Sequence, residues 1–229
     1  KKALKIDKIE KKNENFYKSY FLNKIKKSPL VDAKLAISKD FYTINKTSKW
    51  ITNHKSRRIA HFIRSKYDCI VSTSKTINKD NSLLNCRLEG FNNFKPDLII
   101  IDNNLKLKKN LKLFSILNKR KTYIFTSSND RKKINYFKKR KIKIIKINQL
   151  QIKKDFKVLF DKIFKLGKGR VLIETGLIFL NELIKYKFIN ELYLFRSNVL
   201  LKKKGLNNAN ISLIKRLKFG KNLKVNLKN

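Results

Sequence analysis

Short apolar runs alternate along the chain with longer stretches in which apolar and charged positions follow a helical period. The short runs, rich in Ile, Val, Leu and Phe, predict buried strands over residues 31–38, 69–74, 97–102, 122–128, 142–147, 170–175 and 191–197. The amphipathic stretches predict helices over residues 53–67, 130–141, 153–167 and 177–187, with a last helix over 210–219 and a last strand over 223–227. Because strands that alternate with helices form mainly parallel sheets covered on both faces, we expect one α/β domain.

The first 28 residues depart from this alternation and carry many charges. Apolar side chains recur there at helical spacing and predict a short helix that packs one face onto the domain: Phe16, Tyr17, Tyr20, Phe21 and Ile25. Pro29 ends that helix. The chain contains no Met, not even at position 1, so we expect residues 1–28 to be a lead-in from a preceding part of a longer polypeptide and residues 29–229 to be the domain.

The chain is strongly basic, with 58 Lys and Arg against 16 Asp and Glu and a formal net charge of +42. Such a charge usually indicates a partner with a phosphate backbone. The basic residues are nevertheless spread along the whole chain and include only ten Arg, whereas nucleic-acid footprints form patches in which Arg is the better reader. Lys, Asn, Ile and Phe are abundant together, as an AT-rich coding sequence would produce. We therefore expect solvated charge with weak polyanion binding, and no specific nucleic-acid partner.

Several classes of protein are excluded by what the sequence lacks. No apolar run approaches the roughly 18 residues of a membrane span, and the first residues lack the apolar core of a signal peptide. Cys69 and Cys86 lie 17 positions apart without a CxxC pattern, and with only two His they do not make a structural zinc site. We interpret both as small buried side chains of a cytoplasmic protein that has no metal site and no membrane partner.

The sequence contains neither GxGxxG nor GxxxxGK[ST], and its six Gly are too few for a standard phosphate-binding loop of either kind. The stretch IETGLIF still places Gly176 between a strand and the start of a helix, where backbone N–H groups are able to approach a pyrophosphate. Taken alone, such a glycine is more often only a turn residue.

Charged side chains near the predicted strand ends are the other candidates for chemistry, because ligands of parallel sheets bind beyond the carboxyl ends of the strands. Glu174 ends an apolar strand and is the best candidate carboxylate. Lys34 lies inside an apolar strand, so its ammonium group would reach either a carboxylate or bulk water. Asp80 lies in the polar stretch NKDNS, where an Asx-turn is the more common role.

Two arginines and two histidines remain. Arg64 and Arg87 lie on either side of Asp80 along the chain, and a single Arg is most often solvated. His54 and His61 lie seven residues apart and therefore share one face of the predicted helix. Since no Ser or Cys nucleophile pattern accompanies them, we interpret them as surface or packing residues.

The order of these segments carries a resemblance. The segments are VDAKLAISKD, SKWITNHKSRR, DCIVSTSKTINKDNSLLNCR, DLIIID, VLIETGLIFLNELI and INELYLF, and NFYKSYFLNKIKKSPLV leads into them. In sequence and spacing, from about residue 13 to residue 197, the chain is similar to the reductase half of the bifunctional riboflavin-biosynthesis deaminase/reductase, the RibD family. The Ser-x-Trp-Ile-Thr segment and the Thr, Asp and Arg that follow in one order are jointly the most specific part.

The resemblance implies a dihydrofolate-reductase-like fold, NADPH as hydride donor and a phosphorylated pyrimidine substrate, 5-amino-6-(5-phosphoribosylamino)uracil, whose ribosyl group is reduced to the ribityl form. Positions that match cofactor contacts are Ala36, Trp50, Thr76, Asp80, Asn103, Gly176, Leu177 and Ile178. Positions that match substrate contacts are Ser48, Arg64, Leu84, Arg87 and Glu174, and the two arginines would supply forked donors to the sugar phosphate. Lys34 matches a lysine near the reacting sugar, and Lys34 and Asp80 are the candidates for polarising or protonating the sugar oxygen.

The resemblance also suggests a homodimer and a zinc deaminase half. The chain contains neither HxE nor PCxxC, so any deaminase half is expected upstream.

The sequence departs from the family pattern at four places. Phe41 follows Ser38-Lys39-Asp40 where the family has Gly, and Thr175 precedes Gly176 where the family has a second Gly. Ser82 replaces a Pro, and Asn190 replaces an Asp. These departures leave two alternatives open: a reductase of the same fold that acts on another pterin or pyrimidine, and a polyanion-binding protein built on a degenerate reductase scaffold.

Overall fold

Seven parallel strands form the central sheet of the computed structural model, which describes residues 14–48, 50–91 and 96–210. In chain order the elements are α1 (Glu14–Lys24), β1 (Leu30–Ile37), β2 (Tyr42–Asn45), α2 (His54–Ser65), β3 (Cys69–Thr73), α3 (Ser74–Asp80), β4 (Asp97–Ile101), β5 (Thr122–Thr126), α4 (Arg131–Lys139), β6 (Lys143–Lys146), α5 (Lys153–Lys165), β7 (Arg170–Ile173), α6 (Leu177–Lys185), β8 (Glu191–Arg196) and β9 (Gly205–Asn208). The order across the sheet is β6-β5-β4-β3-β7-β1-β8, and β2 pairs antiparallel with β9 in a separate ribbon.

Side chains that alternate along the strands build one apolar core on each face of the sheet. One core joins the strands to α5 and α6 through side chains such as Phe156, Phe160 and Leu180. The other joins them to α2, α3 and α4 through Ile63, Ile77 and Phe137. The predicted parallel α/β sheet with helices on both faces is thereby confirmed.

The chain reverses its direction across the sheet after β6, and this reversal decides which face each helix covers. From β3 to β6 the strands are added toward one edge, whereas β7 returns to lie between β3 and β1 and β8 extends the opposite edge. Connections between parallel strands are almost always right-handed, so a change of direction moves the connecting helices to the other face. Adjacent strands β3 and β7 therefore lead into helices on opposite faces, and a crevice opens between their carboxyl ends.

Three short elements are not predicted by the apolar pattern. The ribbon strands β2 and β9 have no fully buried residue, so they lack the apolar run by which a strand is recognised. Helix α3 is polar and seven residues long, and it begins at Thr73, whose side chain accepts a hydrogen bond from the backbone N–H of Thr76. The last predicted helix and strand lie outside the described residues.

Helix α1 confirms a helix before Pro29 but not its expected packing. Its aromatic side chains Tyr17, Tyr20 and Phe21 are exposed. The helix is instead held by polar groups, because Ser19 is buried and the side-chain amide of Asn23 donates to the carbonyl of Gly169 at 3.2 Å. Within the described ranges, no helix is both long and apolar enough to cross a membrane.

Phe41 adopts the left-handed backbone conformation, with a φ of 69°, at the position where the resembled family has Gly. A side chain in that region costs roughly 1 kcal/mol relative to Gly. The ring partly offsets this cost, because it packs against the core next to α5 and α6 and lies 4.8 Å from the guanidinium of Arg196. Asp40, just before it, accepts hydrogen bonds from Ser38 and from the backbone of Leu201, and these hold the turn in place.

Asp32 is a buried carboxyl near the amino end of β1. It accepts hydrogen bonds from the hydroxyl of Tyr67 at 2.7 Å and from the backbone N–H of Glu191 at 3.0 Å. The hydroxyls of Tyr67 and Tyr193 are 3.2 Å apart. Burial raises the pKa of Asp32 to about 6, and the hydrogen bond from Tyr67 offsets only part of this effect. At neutral pH the fold therefore holds a buried carboxylate that it would stabilise better when protonated.

We expect Asp32→Asn to reduce the pH dependence of stability. A carboxyl whose pKa is raised on folding contributes stability below its unfolded pKa of 3.8 and loses that contribution as the pH rises through about 6. Between pH 4.5 and pH 8 this group should lower the free energy of unfolding by about 2 kcal/mol. Urea unfolding of both proteins at the two pH values measures the difference, and an equal pH dependence in the two proteins would contradict the assignment.

Candidate active site

Three threonine hydroxyls and a glycine line the crevice between β3 and β7. The Oγ1 atoms of Thr73 and Thr76 are 3.0 Å apart, and the Oγ1 of Thr175 donates to that of Thr73 at 3.4 Å. The backbone N–H of Gly176 donates to the Oγ1 of Thr76 at 3.1 Å. Gly176 is the N-cap of α6, and within the described part of the chain no side chain caps that helix. The threonine that replaces the family's first Gly thus joins the two strand ends by a hydrogen bond.

The other residues that match cofactor contacts follow the same edge of the sheet. Ala36 lies near the carboxyl end of β1, and Asn103 follows the carboxyl end of β4. In the sheet order β4-β3-β7-β1, Asn103, Thr76, Gly176 and Ala36 therefore form one row. The side-chain oxygen of Asn103 is buried and has no hydrogen-bond partner among the residues that the structure describes. At the start of α6, Leu177 is buried whereas Ile178 is 74% exposed.

Ser48 and Trp50 lie on the loop before α2. The backbone N–H of Trp50 donates to the Oγ of Ser48 at 3.3 Å, which closes a local turn. The indole is 51% exposed, and the guanidinium of Arg57 lies 4.9 Å from its centre. Arg57 thus covers the ring with a cation–π contact, and the sequence pattern gave no sign of this partner.

Arg64 and Glu174 form a buried, two-point ion pair. The Nε of Arg64 donates to one carboxylate oxygen of Glu174 at 2.6 Å, and its Nη2 donates to the other at 2.9 Å. Burial by itself raises the pKa of Glu174, but the guanidinium of Arg64 and the ammonium of Lys34 outweigh it and hold that pKa below its usual value. The pair joins α2 to the residue that follows β7, and the fork of Arg64 is occupied by a carboxylate of the protein.

Lys34 faces this ion pair from β1. Its ammonium group lies 5.3 Å from the centre of the Phe195 ring on β8. Burial lowers the pKa of Lys34, the charge of Glu174 raises it, and the charges of Arg64 and Asp80 act in opposite directions. The net result is a pKa below the usual value of lysine, so the group is closer to losing its proton than a solvated lysine is.

Asp80 is the last residue of α3, and its side chain is exposed. The backbone of Asp80 is helical. The turn falls on the next residue, Asn81, which is left-handed with a φ of 44°. The carboxylate still contributes to the electrostatic environment of Lys34, and it belongs to the same end of the sheet.

Arg120, which lies just before β5, holds the loop after α3 by hydrogen bonds to its backbone. The buried guanidinium donates from Nη1 to the carbonyl of Leu84 at 2.6 Å and from Nη2 to the carbonyl of Leu83. Leu84 is buried in a left-handed conformation, with a φ of 49°. Burial lowers the pKa of Arg120 to about 10, which leaves it charged at neutral pH. Sequence reasoning missed Arg120, because nothing in a lone Arg before a strand indicates where its guanidinium points.

The same loop presents Arg87 beside a histidine of α2. The Nη2 of Arg87 is 3.2 Å from the Nε2 of His61, and its Nη1 donates to the side-chain oxygen of Asn85 at 2.8 Å. The Nδ1 of His61 is 3.0 Å from the carbonyl oxygen of Asn85. Burial, together with the charges of Arg64 and Arg87, lowers the pKa of His61 to about 4. His61 is thus half-buried and packs against the loop through hydrogen bonds, and His54 is exposed, so both agree with the interpretation as packing or surface residues.

The side chains able to bind a metal ion include the two cysteines. Cys69 and Cys86 are both buried and unbridged, as expected. Among the residues that the structure describes, no group of three or more His, Cys, Asp and Glu side chains is arranged to hold a metal ion.

Comparison with known proteins agrees with this geometry. The model of the RibD C-terminal domain family matches residues 29–205. The chain belongs to this family. It is 37% identical over 111 residues to the riboflavin biosynthesis protein RibD of Buchnera aphidicola subsp. Baizongia pistaciae, which covers 48% of the chain and 27% of that protein.

Two solved structures share the fold. One is the diaminohydroxyphosphoribosylaminopyrimidine deaminase/5-amino-6-(5-phosphoribosylamino)uracil reductase of Thermotoga maritima, with a TM-score of 0.68 and 22% identity over 83% of the chain and 50% of that protein. The other is the riboflavin biosynthesis reductase of Saccharomyces cerevisiae, with a TM-score of 0.64 and 20% identity over 79% of the chain and 78% of that protein. The chain thus matches about a quarter of the Buchnera protein and half of the Thermotoga protein, and its fold is that of the RibD reductases.

We expect loss of one partner of the Arg64–Glu174 pair to destabilise the protein more than loss of both partners together. Arg64→Met leaves a buried carboxylate without its partner, so the free energy of unfolding at pH 7 should fall by about 3 kcal/mol. Arg64→Met combined with Glu174→Gln removes both charges and should recover much of the loss. Urea unfolding measures both, and Lys185→Met in the exposed pair with Glu182 should cause no measurable change. A double variant as unstable as Arg64→Met would contradict the pairing.

Proposed function

We propose that this chain reduces the ribosyl group of 5-amino-6-(5-phosphoribosylamino)uracil to the ribityl form with NADPH as hydride donor. The observation that carries the proposal is the meeting of Lys34, Arg64 and Glu174 beside the threonine-lined crevice, in a member of the RibD C-terminal domain family. The family links the chain to riboflavin biosynthesis and to oxidoreductases. The substrate and the cofactor are the finer part of the proposal.

The residues along the carboxyl edge fit a nicotinamide dinucleotide. Among the described residues, no side chain caps the start of α6, and a Cβ on Gly176 would already touch the Oγ1 of Thr76 at 3.7 Å. The glycine therefore leaves space beside the first N–H groups of the helix. Asn103 belongs to the same row, and its buried side-chain oxygen is an acceptor that makes no hydrogen bond within the described residues. Thr76, Asn103, Gly176 and Ala36 would hold the cofactor in this row, with Leu177, Ile178 and Trp50 as apolar neighbours. NADPH would supply the hydride, and the chemistry of that transfer belongs to the nicotinamide.

The charged residues next to this row fit a sugar phosphate. Arg64 is committed to Glu174, so its role in the proposal is to orient that carboxylate toward the substrate. Arg87 is exposed and would bind the phosphate, while Ser48 and the Leu84 loop would border the substrate. A net charge of +42 also favours the approach of an anionic substrate.

Reduction of a ribosyl group to a ribityl group breaks the bond between C1′ and the ring oxygen, adds a hydride to C1′ and adds a proton to that oxygen. Lys34 has a lowered pKa and faces Glu174, so we assign it the role of polarising or protonating the sugar oxygen. Asp80 would support it electrostatically from the end of α3. A homodimer, a fused upstream deaminase and a domain over residues 29–229 belong to the same proposal.

The reaction is tested by mixing the chain with NADPH and the phosphoribosylamino-pyrimidine and following the loss of cofactor absorbance. Arg87→Ala should raise KM at least tenfold because the phosphate loses its guanidinium, and Asp80→Ala should lower kcat. Arg140→Ala is the matched control, because Arg140 is exposed and stacks on Tyr136 at 3.8 Å, away from the crevice. Wild-type rates in both site variants would remove the site assignment.

Gly176→Ala tests the cofactor row separately. The new methyl group makes only ordinary contact with Thr76 and the φ of Gly176 is −73°, so the free energy of unfolding should stay unchanged. It should nevertheless obstruct a pyrophosphate at the start of α6 and raise the KM for NADPH about tenfold, the equivalent of about 1.4 kcal/mol. Steady-state kinetics at saturating substrate measures this, and an unchanged KM for NADPH would place the cofactor elsewhere.

A further inference from the structure

His61 is the residue of the site that sequence reasoning set aside, and it lies between two guanidinium groups. The Nη2 of Arg87 is 3.2 Å from its Nε2, and the Nη1 of Arg64 is 3.5 Å from its Nδ1. A guanidinium only donates hydrogen bonds, so a ring nitrogen that accepts from Arg87 or from Arg64 has to be unprotonated. The backbone N–H of Arg87 also points at Nδ1, at 3.2 Å, and the carbonyl oxygen of Asn85 lies 3.0 Å from the same nitrogen. A neutral imidazole has one donor and one acceptor nitrogen. We assign Nδ1 as the donor to Asn85 and Nε2 as the acceptor from Arg87, because this tautomer satisfies the shortest of these contacts and the one to the guanidinium of Arg87.

The two arginines are held in different ways. Arg64 gives its fork to Glu174 and is buried, which leaves it no two-point site for a ligand. Arg87 is exposed, and its protein contacts are single hydrogen bonds from each Nη to His61 and Asn85. Each of these nitrogens carries a second N–H, so the outer edge of the guanidinium keeps donors for an anion.

The helix that carries His61 is a rigid support for this contact. Ala60 and Ile63, on either side of His61 along the chain, are buried, so the packing of α2 fixes the direction of the imidazole. Asn85 is buried as well, and Arg120 holds the backbone immediately before it. An otherwise mobile arginine side chain is thereby restrained at two points, one on the helix and one on its own loop.

From this geometry we infer that His61 is a positioning residue, which accepts a hydrogen bond from Arg87 and so aims that guanidinium at the phosphate of the substrate. The inference rests on the proposed function for the identity of the substrate. It requires only a phosphorylated sugar for the contact itself. Loss of the acceptor should therefore weaken binding of phosphorylated ligands and leave the chemical step unchanged.

The test measures binding of ribose 5-phosphate and of ribose by calorimetry, without cofactor or turnover. His61→Phe keeps a planar ring and removes the acceptor, so ribose 5-phosphate should bind about tenfold more weakly, with no change for ribose. His61→Gln offers an amide oxygen to Arg87 and should restore most of the affinity. His54→Phe is the matched control on the same helix, because His54 is exposed, and it should leave the affinity unchanged.

A double-mutant cycle separates positioning from a general structural role. If His61 acts through Arg87, then adding His61→Phe to Arg87→Ala should cause no further loss of affinity. In the full reaction, His61→Phe should raise KM about tenfold and change kcat less than twofold. His61→Leu, made alongside, gives the same comparison with a smaller side chain if the phenyl ring is not accommodated.

The outcomes distinguish this inference from the proposed function. Equal affinity in the wild type and His61→Phe, an additional loss in the Arg87→Ala background, or no binding of ribose 5-phosphate by the wild type would each overturn the positioning role. A wild type that oxidises no NADPH with the proposed substrate, but loses ribose 5-phosphate binding on His61→Phe, would overturn the reaction and leave the positioning role intact.

Discussion

The insertion of β7 between β3 and β1 is the constraint on which the site depends. Its parallel pairing with both neighbours sets Val71 opposite Ile173 on one side and Ala33 opposite Ile173 on the other. The residues that follow β7 therefore lie between the end of β3 and the face of β1 that carries Lys34. Glu174 meets Lys34 and Arg64 for this reason, and Gly176 meets Thr76. A sheet with the same strands in another order would scatter these side chains.

The strands and long helices were predictable because buried elements require apolar residues at a regular spacing along the sequence. A strand such as β4, with four consecutive buried residues, requires an apolar residue at each of those positions. Helix α3 was not predicted, because its composition is polar and its position depends on the Thr73 cap and on the sheet beneath it. Position at the predicted strand ends selected Lys34, Asp80 and Glu174 as candidates, whereas apolar positions such as Ala36 and Leu84 came only from the resemblance.

Contacts between distant side chains were beyond sequence reasoning. His61 and Arg87 are 26 positions apart, and Arg120 and Leu84 are 36 apart. Their partnership follows from the packing of α2 and β5 around one loop, which a local pattern does not encode. Phe41 shows another limit, since the departure from the family's Gly is visible in the sequence but the left-handed backbone and the packing of the ring against the core are not.

The clamp formed by Arg120 has a thermodynamic consequence for recognition. By holding two successive carbonyls of the loop before Asn85, it makes the ordering of that loop part of folding. Under the proposed function, a ligand that arrives at Arg87 would meet a segment whose conformational entropy has already been lost. Less of the interaction free energy is consumed on association, and the affinity of an exposed guanidinium for an anion rises without any additional contact.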